Sequence, residues 1–307
     1  MEQASSAYFN EINEESIRKA ASQTKGAGGP SQFDSKQWRR VLCSNQFKAE
    51  GKDLREKLAD FAKKIATEIL DPITLEAYFT GRLLALDKAP GDTELQVRPI
   101  AVGEVLRRIV GKTIAWSLKS VIQESAGPLQ VSTGLKGGAE AAIHSMKEIF
   151  DLEATDAVIL VDAANAFNRL NKAVALHNIQ YICPAFAIVM INTYRNPARL
   201  IIFNGGEILS KEGTTQGDTL AMDFYSCGTN PILMSLRERI PEVSQAWLAD
   251  DATSAGHLKD LKKWWDLIIE EGIKYGYYVK PSKSWIVLKK TKCCQNVRTF
   301  LNLLPST

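Results

Sequence analysis

The sequence predicts an α+β protein on three observations. Amphipathic helical patterns dominate the first half. An apolar run typical of a buried strand opens the second half at Ala157. From there the order is strand, helical segment, hairpin-like acidic element, helix, strand. That order suits a ferredoxin-like split βαβ layer with helices on one face. With 307 residues, 45% of them hydrophobic and 24% charged, the balance is that of an ordinary globular chain, which argues against disorder, collagen-like repeats and a disulfide scaffold. The net charge of +3 permits nucleic-acid binding without arguing for it.

The elements follow from pattern and punctuation. Residues 1–24 are polar and are expected as a loosely held helix or tail; their acidic start is the wrong chemistry for a signal peptide. TKGAGGPS (Thr24 to Ser31) is a Gly/Pro loop. From Ser35 to Tyr78 the pattern is helical, and within it Leu54 to Leu70 places Leu54, Leu58, Phe61, Ile65 and Ile69 on one face. After the loop DKAPGDTELQ, the stretch GEVLRRIVGKTIAWSLKSVIQE reads as one long helix with Leu106, Ile109, Val110, Ile114, Leu118 and Val121 inward. A third Gly-rich loop opens a helix that runs through Phe150. Ala157 to Val161 is a strand buried on both faces, ending at Asp162. Asp260 to Glu271 is a helix followed by a strand, and Trp285 to Lys290 is one further strand. The longest apolar stretch, Tyr181 to Ile191, is too short to span a bilayer. The five cysteines show no C-x-x-C spacing and are odd in number, as expected of reduced thiols in an intracellular protein of cytoplasm or nucleus.

The chemistry concentrates in carboxylates. Asp250 and Asp251 interrupt an apolar run, and burying two adjacent negative charges unpaired costs several kcal/mol each, so they need a cation, a base or exposure at a turn. A solvated turn is the plain alternative. Asp162 also ends an apolar strand; were the two strands neighbours, three hard oxygen ligands would converge at one sheet end, as Mg²⁺ prefers. Other patterns lead nowhere. Gly111-Lys112-Thr113 lacks the upstream glycine of a phosphate-binding loop, and His144, His177 and His257 are scattered without zinc-ligand spacing. Trp264 and Trp265 on a helix are expected to bury one ring fully, leaving the other as a partly buried packing residue or a stacking surface.

Four segments occur in a telling order: DAANAFN (Asp162 to Asn168), EGTTQGDTLAM (Glu212 to Met222), LADD (Leu248 to Asp251) and GYYVKPSKSW (Gly276 to Trp285). Together they resemble the palm motifs of the reverse transcriptase domain of non-LTR-like retrotransposons. VRPIAVGEVLRRIVGK (Val97 to Lys112) and KGAGGPS resemble that family's upstream fingers segments. The resemblance covers roughly Lys25 to Lys290. It implies a right-hand polymerase: a mainly helical fingers-like region over 25–155, and a palm over 156–290 with an inserted fingers segment near 172–207.

It also implies roles. Asp162 and Asp250 would ligate two Mg²⁺ ions (Mn²⁺ as a substitute), with Asp251 a weaker third ligand and the Ala163 carbonyl completing one shell. Phe167 resembles the steric gate that crowds a ribose 2′-OH, with a core Phe as the plain alternative. Gln216 and Gly217 resemble the turn along the incoming nucleotide and template; Arg98 and Lys88 would clamp the triphosphate. Lys283 resembles the lysine that could protonate leaving pyrophosphate. The implied partners are an RNA or DNA template, a DNA primer and deoxynucleoside triphosphates, with no membrane.

Departures from the family pattern fall at Leu248, where an aromatic is usual, at Thr219, where Pro is common, and at Asn168, where many relatives carry a second Asp. After Lys290 the tail over 291–307 replaces the expected primer grip and thumb, so a missing thumb is the expectation. The alternative function is a catalytically impaired or domesticated retroelement remnant that only binds nucleic acid. A nucleotidyl cyclase built on the same layer is a weaker third reading, opposed by the fingers-like block and the Gln-Gly turn. On the polymerase reading, the small net charge hides a bipolar distribution of basic fingers and acidic metal cluster.

Overall fold

A computed structural model describes residues 6–87, 91, 97–215 and 217–289. Lys88, Gln216 and the stretch from Lys290 onward lie outside the described residues, and of Arg98 only the backbone is described. In chain order the first elements are helices α1 (Glu14–Gln23), α2 (Ser35–Cys43), α3 (Lys48–Thr67) and α4 (Pro72–Phe79), then strands β1 (Gly81–Asp87) and β2 (Val97–Gly103). Next come α5 (Val105–Ser117), α6 (Lys119–Ala126), α7 (Gly138–Asp151), β3 (Ala157–Val161), α8 (Ala166–Arg169), α9 (Lys172–Ile182) and α10 (Pro184–Tyr194). The last are β4 (Ala198–Ile202), β5 (Glu207–Ser210), α11 (Ala221–Arg239), β6 (Ser244–Leu248), β7 (Asp251–Gly256), α12 (Leu258–Tyr275) and β8 (Trp285–Leu288). The protein is mixed α+β, with two small four-stranded sheets among the described residues. No helix among them is long and apolar enough to cross a membrane.

The chain divides into two compact units: Met1–Val121 with Ile179–Ala221, and Ile122–Asn178 with Met222–Thr307. The first unit holds the sheet β2-β1-β4-β5, in which β1 pairs antiparallel with β2 and parallel with β4. Within the segment expected as a polar tail, α1 is a capped helix. Asn13 accepts from the N–H groups of Glu15 and Ser16, and Ser16 closes the capping box, while Ile17, Ala20 and Ala21 are buried. The helical pattern expected from Ser35 to Tyr78 is three helices, α2, α3 and α4, and Ile69, expected on the inward face, lies past the end of α3 and is exposed. The free C-terminal carbonyls of α3 find a partner in Asn192 of α10, whose amide donates to Ile65 O (2.8 Å) and Glu68 O (2.7 Å) while accepting from Leu70 N–H (3.0 Å).

The long helix expected after Gly103 is two helices, α5 and α6, because Leu118 leaves helical geometry at φ −102° and ψ 4°. Its inward face also differs: Leu106 and Val121 are half-buried, whereas Arg107 is 4% exposed. A guanidinium reaches the interior because α5 delivers it to Asp218, 2.6 Å away, with both side chains almost fully buried. Tyr194 O–H donates to the same carboxylate oxygen at 2.6 Å. Burial alone would lower the Arg107 pKa, yet Asp218, Tyr194 and Tyr78 raise it above its ordinary value.

The second unit holds the antiparallel sheet β6-β7-β3-β8. Alternation puts Ala157, Ile159, Val161 and Trp247 on one face, where the Trp264 ring of α12 lies 6.4 Å from that of Trp247. Both Trp264 (0% exposed) and Trp265 (2%) are buried, so the expectation that one ring stays partly exposed is corrected: α12 is buried over a wide arc that also takes in Leu261, Leu267 and Ile268. Helix α7 packs against β6 and β7, and it borders a cavity of about 370 Å³ lined by Val158, Leu160, Met146, Phe150 and Val287 on the sheet's other face. Helices therefore stand on both faces of this sheet, not one. After α12 the expected strand is reduced to a single bridge, Ala163 with Val279. The helix runs on to Tyr275 and stops at Gly276, whose φ of +76° and closeness to Arg169 O leave no room for a side chain.

Replacing Arg107 by Ala strands the buried Asp218 charge and is expected to destabilise the protein by about 3–5 kcal/mol in urea unfolding. The double replacement Arg107→Met with Asp218→Asn should recover most of that loss. Equal loss in the single and double variants would show that the pair contributes packing alone.

Candidate functional site

The candidate site lies in the second unit at one end of the sheet β6-β7-β3-β8. Strand β3 pairs with β7 through Val161↔Ala252, and continuing that register brings Asp162 opposite Asp251. Neighbouring strands run about 4.8 Å apart, so two carboxylates on the same face are forced into proximity. Strands β6 and β7 close through Leu248↔Asp251, leaving Ala249 and Asp250 as the turn. Ala249 takes a left-handed φ of +59°, a conformation a non-glycine residue enters at a cost of about 1–2 kcal/mol.

The electrostatics follow from this crowding. Burial, opposed in part by a backbone hydrogen bond, and the neighbouring charges of Asp251 and Asp162 push the Asp250 carboxyl up to about 6 from an ordinary 3.8. Burial and Asp162 raise that of Asp251 as well. Among the described residues, no cation acts on either group. Burial holds the Tyr277 phenol well above its ordinary pKa, with the three carboxylates adding to it; its O–H donates to Asp250 O at 2.8 Å, tying the turn to the chain after α12.

The chain on the other side of β3 is bound just as closely. Lys280 N–H donates to Asp162 O (2.8 Å), Ala164 N–H to Tyr278 O (2.8 Å), and Asp162 N–H to the Ser284 hydroxyl (3.2 Å), which itself donates to Lys280 O (3.0 Å). This pairing uses the carbonyl of Asp162 and leaves that of Ala163 out. Lys283, exposed at the end of a short turn (Pro281–Lys283), is held one residue from the serine that binds Asp162. Phe167, on α8, is half-buried and stacks on Tyr225 of α11 with centroids 4.6 Å apart and planes 24° apart. The Tyr225 ring is 1% exposed, and its buried hydroxyl has no hydrogen-bond partner among the described residues. Burial raises its pKa well above the ordinary value, with Tyr277, Asp250 and Asp251 adding to the shift.

Six of the sequence-derived residues thus belong to this unit: Asp162, Ala163, Phe167, Asp250, Asp251 and Lys283. The first unit contains Arg98, in β2 opposite Leu86, and Gly217, whose φ is +86° beside the buried Asp218. Lys88 and Gln216 lie outside the described residues. Sequence reading missed Tyr225, Tyr277, Ser284 and Gln130, which bonds both backbone groups of Ala249. Tyr277 and Ser284 lie inside a quoted motif and could have been suspected from it; Tyr225 and Gln130 carried no signal of spacing.

Three carboxylates at one sheet end, two of them with no cation among the described residues acting on them, have the hard-oxygen chemistry of a divalent-cation site, and the Tyr225 hydroxyl, unpartnered among the described residues, feels the charges of Asp250 and Asp251. Among the described residues, no three His, Cys, Asp or Glu side chains stand within reach of a single ion. No protein-family model matches the chain, and no curated protein matches it.

Neutralising Asp250 removes the cost of burying its charge and its repulsion from Asp251 and Asp162. The Asp250 pKa is higher in the folded chain than in the unfolded chain, so the stability tied to its proton is fully present below about pH 3.8 and is lost as pH rises through about 6. Asp250→Asn is therefore expected to be more stable than wild type by roughly 1–2 kcal/mol at pH 7, after discount for partial exposure. The gap should close as pH falls from 6 to 4; a gap that does not vary with pH would refute this. Separately, Tyr225→Phe removes an unpartnered hydroxyl while keeping the stack on Phe167, and its melting temperature should equal or exceed that of wild type.

Proposed function

We propose that the chain is the reverse transcriptase domain of a retroelement, an RNA-directed DNA polymerase that joins deoxynucleotides to a primer on an RNA or DNA template inside the cell, in cytoplasm or nucleus. On this reading the second unit is a ferredoxin-like palm and the helical first unit corresponds to fingers. The observation that carries it is the convergence, forced by strand register, of Asp162 with the Asp250-Asp251 turn, in the same unit as the stacked Phe167.

The residues divide the work. Asp162, Asp250 and Asp251, with the Ala163 carbonyl, would hold divalent ions; their mutual repulsion favours occupancy, since a cation lowers the raised carboxyl pKa. Two Mg²⁺ ions, or Mn²⁺, would activate the attacking hydroxyl and neutralise the leaving pyrophosphate. Phe167, backed by Tyr225, is a ring that cannot yield easily to a ribose 2′-OH, which favours deoxynucleotides. Lys283, exposed next to the anchored Ser284, would deliver a proton to pyrophosphate. The reading gives Lys88 and Arg98 to the triphosphate, and Gln216 and Gly217 to the template and incoming nucleotide.

Purified protein is expected to extend a DNA primer on an RNA template with Mg²⁺ or Mn²⁺, and Asp250→Ala should lower the rate by about a hundred- to a thousandfold, as loss of a group that acts on developing charge does. Salt-sensitive nucleic-acid binding with no extension under any divalent metal would favour the domesticated remnant instead.

A further inference from the structure

The turn that presents Asp250 has an unusual support. Among the described residues, strand β6 lies at the edge of its sheet and its outer side carries only a one-residue bridge, Gln130 to Trp247, so the backbone of Ala249 has no strand there to bond with. Ala249 is also the residue in left-handed conformation, and strain of that kind persists only where the surroundings over-determine it. The side chain of Gln130 takes the place of the missing strand. Its Oε1 accepts from Ala249 N–H at 2.8 Å and its Nε2 donates to Ala249 O at 3.1 Å, which satisfies both backbone groups of the strained residue.

The glutamine is itself fixed on every side. Val131 N–H donates to Trp247 O and Trp247 N–H to Leu129 O, both at 2.8 Å, so the backbone flanking Gln130 is tied to the residue two positions before Ala249. The Ser132 hydroxyl donates to Gln130 Oε1 at 2.7 Å, which orients the amide so that its NH₂ faces the Ala249 carbonyl. A Thr133 hydroxyl bond to Ser226 (2.8 Å) ties the same segment to α11. Gln130 is 1% exposed, so water does not compete for these bonds.

From this geometry we propose that Gln130 is a positioning residue: it holds Ala249 left-handed and thereby aims Asp250 and Asp251 at Asp162, preorganising the carboxylates against their own repulsion. The proposal rests on the reading of this turn as the cation-binding turn of a nucleotidyl transferase. Without the clamp, Ala249 can relax to negative φ, and that rotation re-aims the residues that follow it.

The test compares the wild-type chain with Gln130→Met, which keeps the volume and removes both bonds, and with Ser132→Ala, which removes the hydroxyl that orients the amide. In Gln130→Met the Ala249 amide should exchange with deuterium about tenfold faster, the effect of losing one buried hydrogen bond, while the amides of Ala252 and Ser254 keep their protection. Manganese affinity, measured by electron paramagnetic resonance on protein and metal alone, should weaken by about 10- to 100-fold. In primer extension the Mg²⁺ concentration at half-maximal rate should rise in parallel, with the KM for deoxynucleotide little changed. A merely structural role would lower the fraction of active protein without moving the metal dependence. Ser132→Ala should shift the same readouts in the same direction by a smaller factor, and it carries the test if Gln130→Met does not fold. Unchanged Ala249 exchange and unchanged manganese affinity in a folded variant would overturn the proposal while leaving the polymerase reading intact. A wild type that neither binds manganese nor extends a primer would overturn that reading, and the metal-positioning role of Gln130 with it.

Discussion

The constraint on which this site depends is the antiparallel register of β3 with β7. Pairing Val161 with Ala252 leaves the next two positions, Asp162 and Asp251, facing each other where the sheet ends, and the tight β6–β7 turn adds Asp250. A shift of one residue would move either carboxylate to the opposite face. The register is in turn secured by what the sheet buries: Ile159 and Val161 on β3, Ala252 and Ser254 on β7, and the Trp247–Trp264 contact beneath. Apolar packing therefore determines how deeply the carboxyls are buried and how close they stand, and burial first, then the neighbouring charges, raises the pKa values of Asp250 and Asp251.

The two units treat buried charge in opposite ways. In the first, Asp218 meets a guanidinium at 2.6 Å and a tyrosine hydroxyl at 2.6 Å, so the carboxylate beside Gly217 is compensated within the protein. In the second, three carboxylates share a sheet end with no cation among the described residues acting on the raised pair, and two phenols nearby are driven further from ionising. The compensated pair stabilises a turn. The uncompensated cluster stores repulsion, which Gln130 and the Tyr277–Asp250 bond oppose. On the proposed reading, a bound cation would relieve that repulsion.

Much of this was legible in the chain because it depends on local pattern. The apolar run of β3, the acidic turn between β6 and β7, the helix from Asp260 and the strand at Trp285 were all expected where they occur, to within a few residues. What escaped has a common physical basis. Periodicity assigns an arginine outward, yet Arg107 is buried because Asp218, 111 residues later, comes to meet it. Periodicity also gives a helix one apolar stripe, yet α12 hides both tryptophans because it is covered over a wide arc. Gln130 had no motif to mark it, since its partner is a backbone group 119 residues away.

By itself, then, the amino-acid order determined most of the helices and the strands of the sheet β6-β7-β3-β8, that carboxylates stand at strand ends, and which family of motifs they resemble, because these depend on neighbours a few residues apart. The tertiary structure alone decided that Asp162 and Asp251 share a register position, that helices cover both faces of the sheet, and that Gln130, Ser284 and Tyr277 hold the turn and strand that carry the carboxylates. Those outcomes require closing loops of tens to more than a hundred residues. Which distant groups then meet is set by packing and hydrogen-bond satisfaction across the whole sheet, which no window along the chain contains.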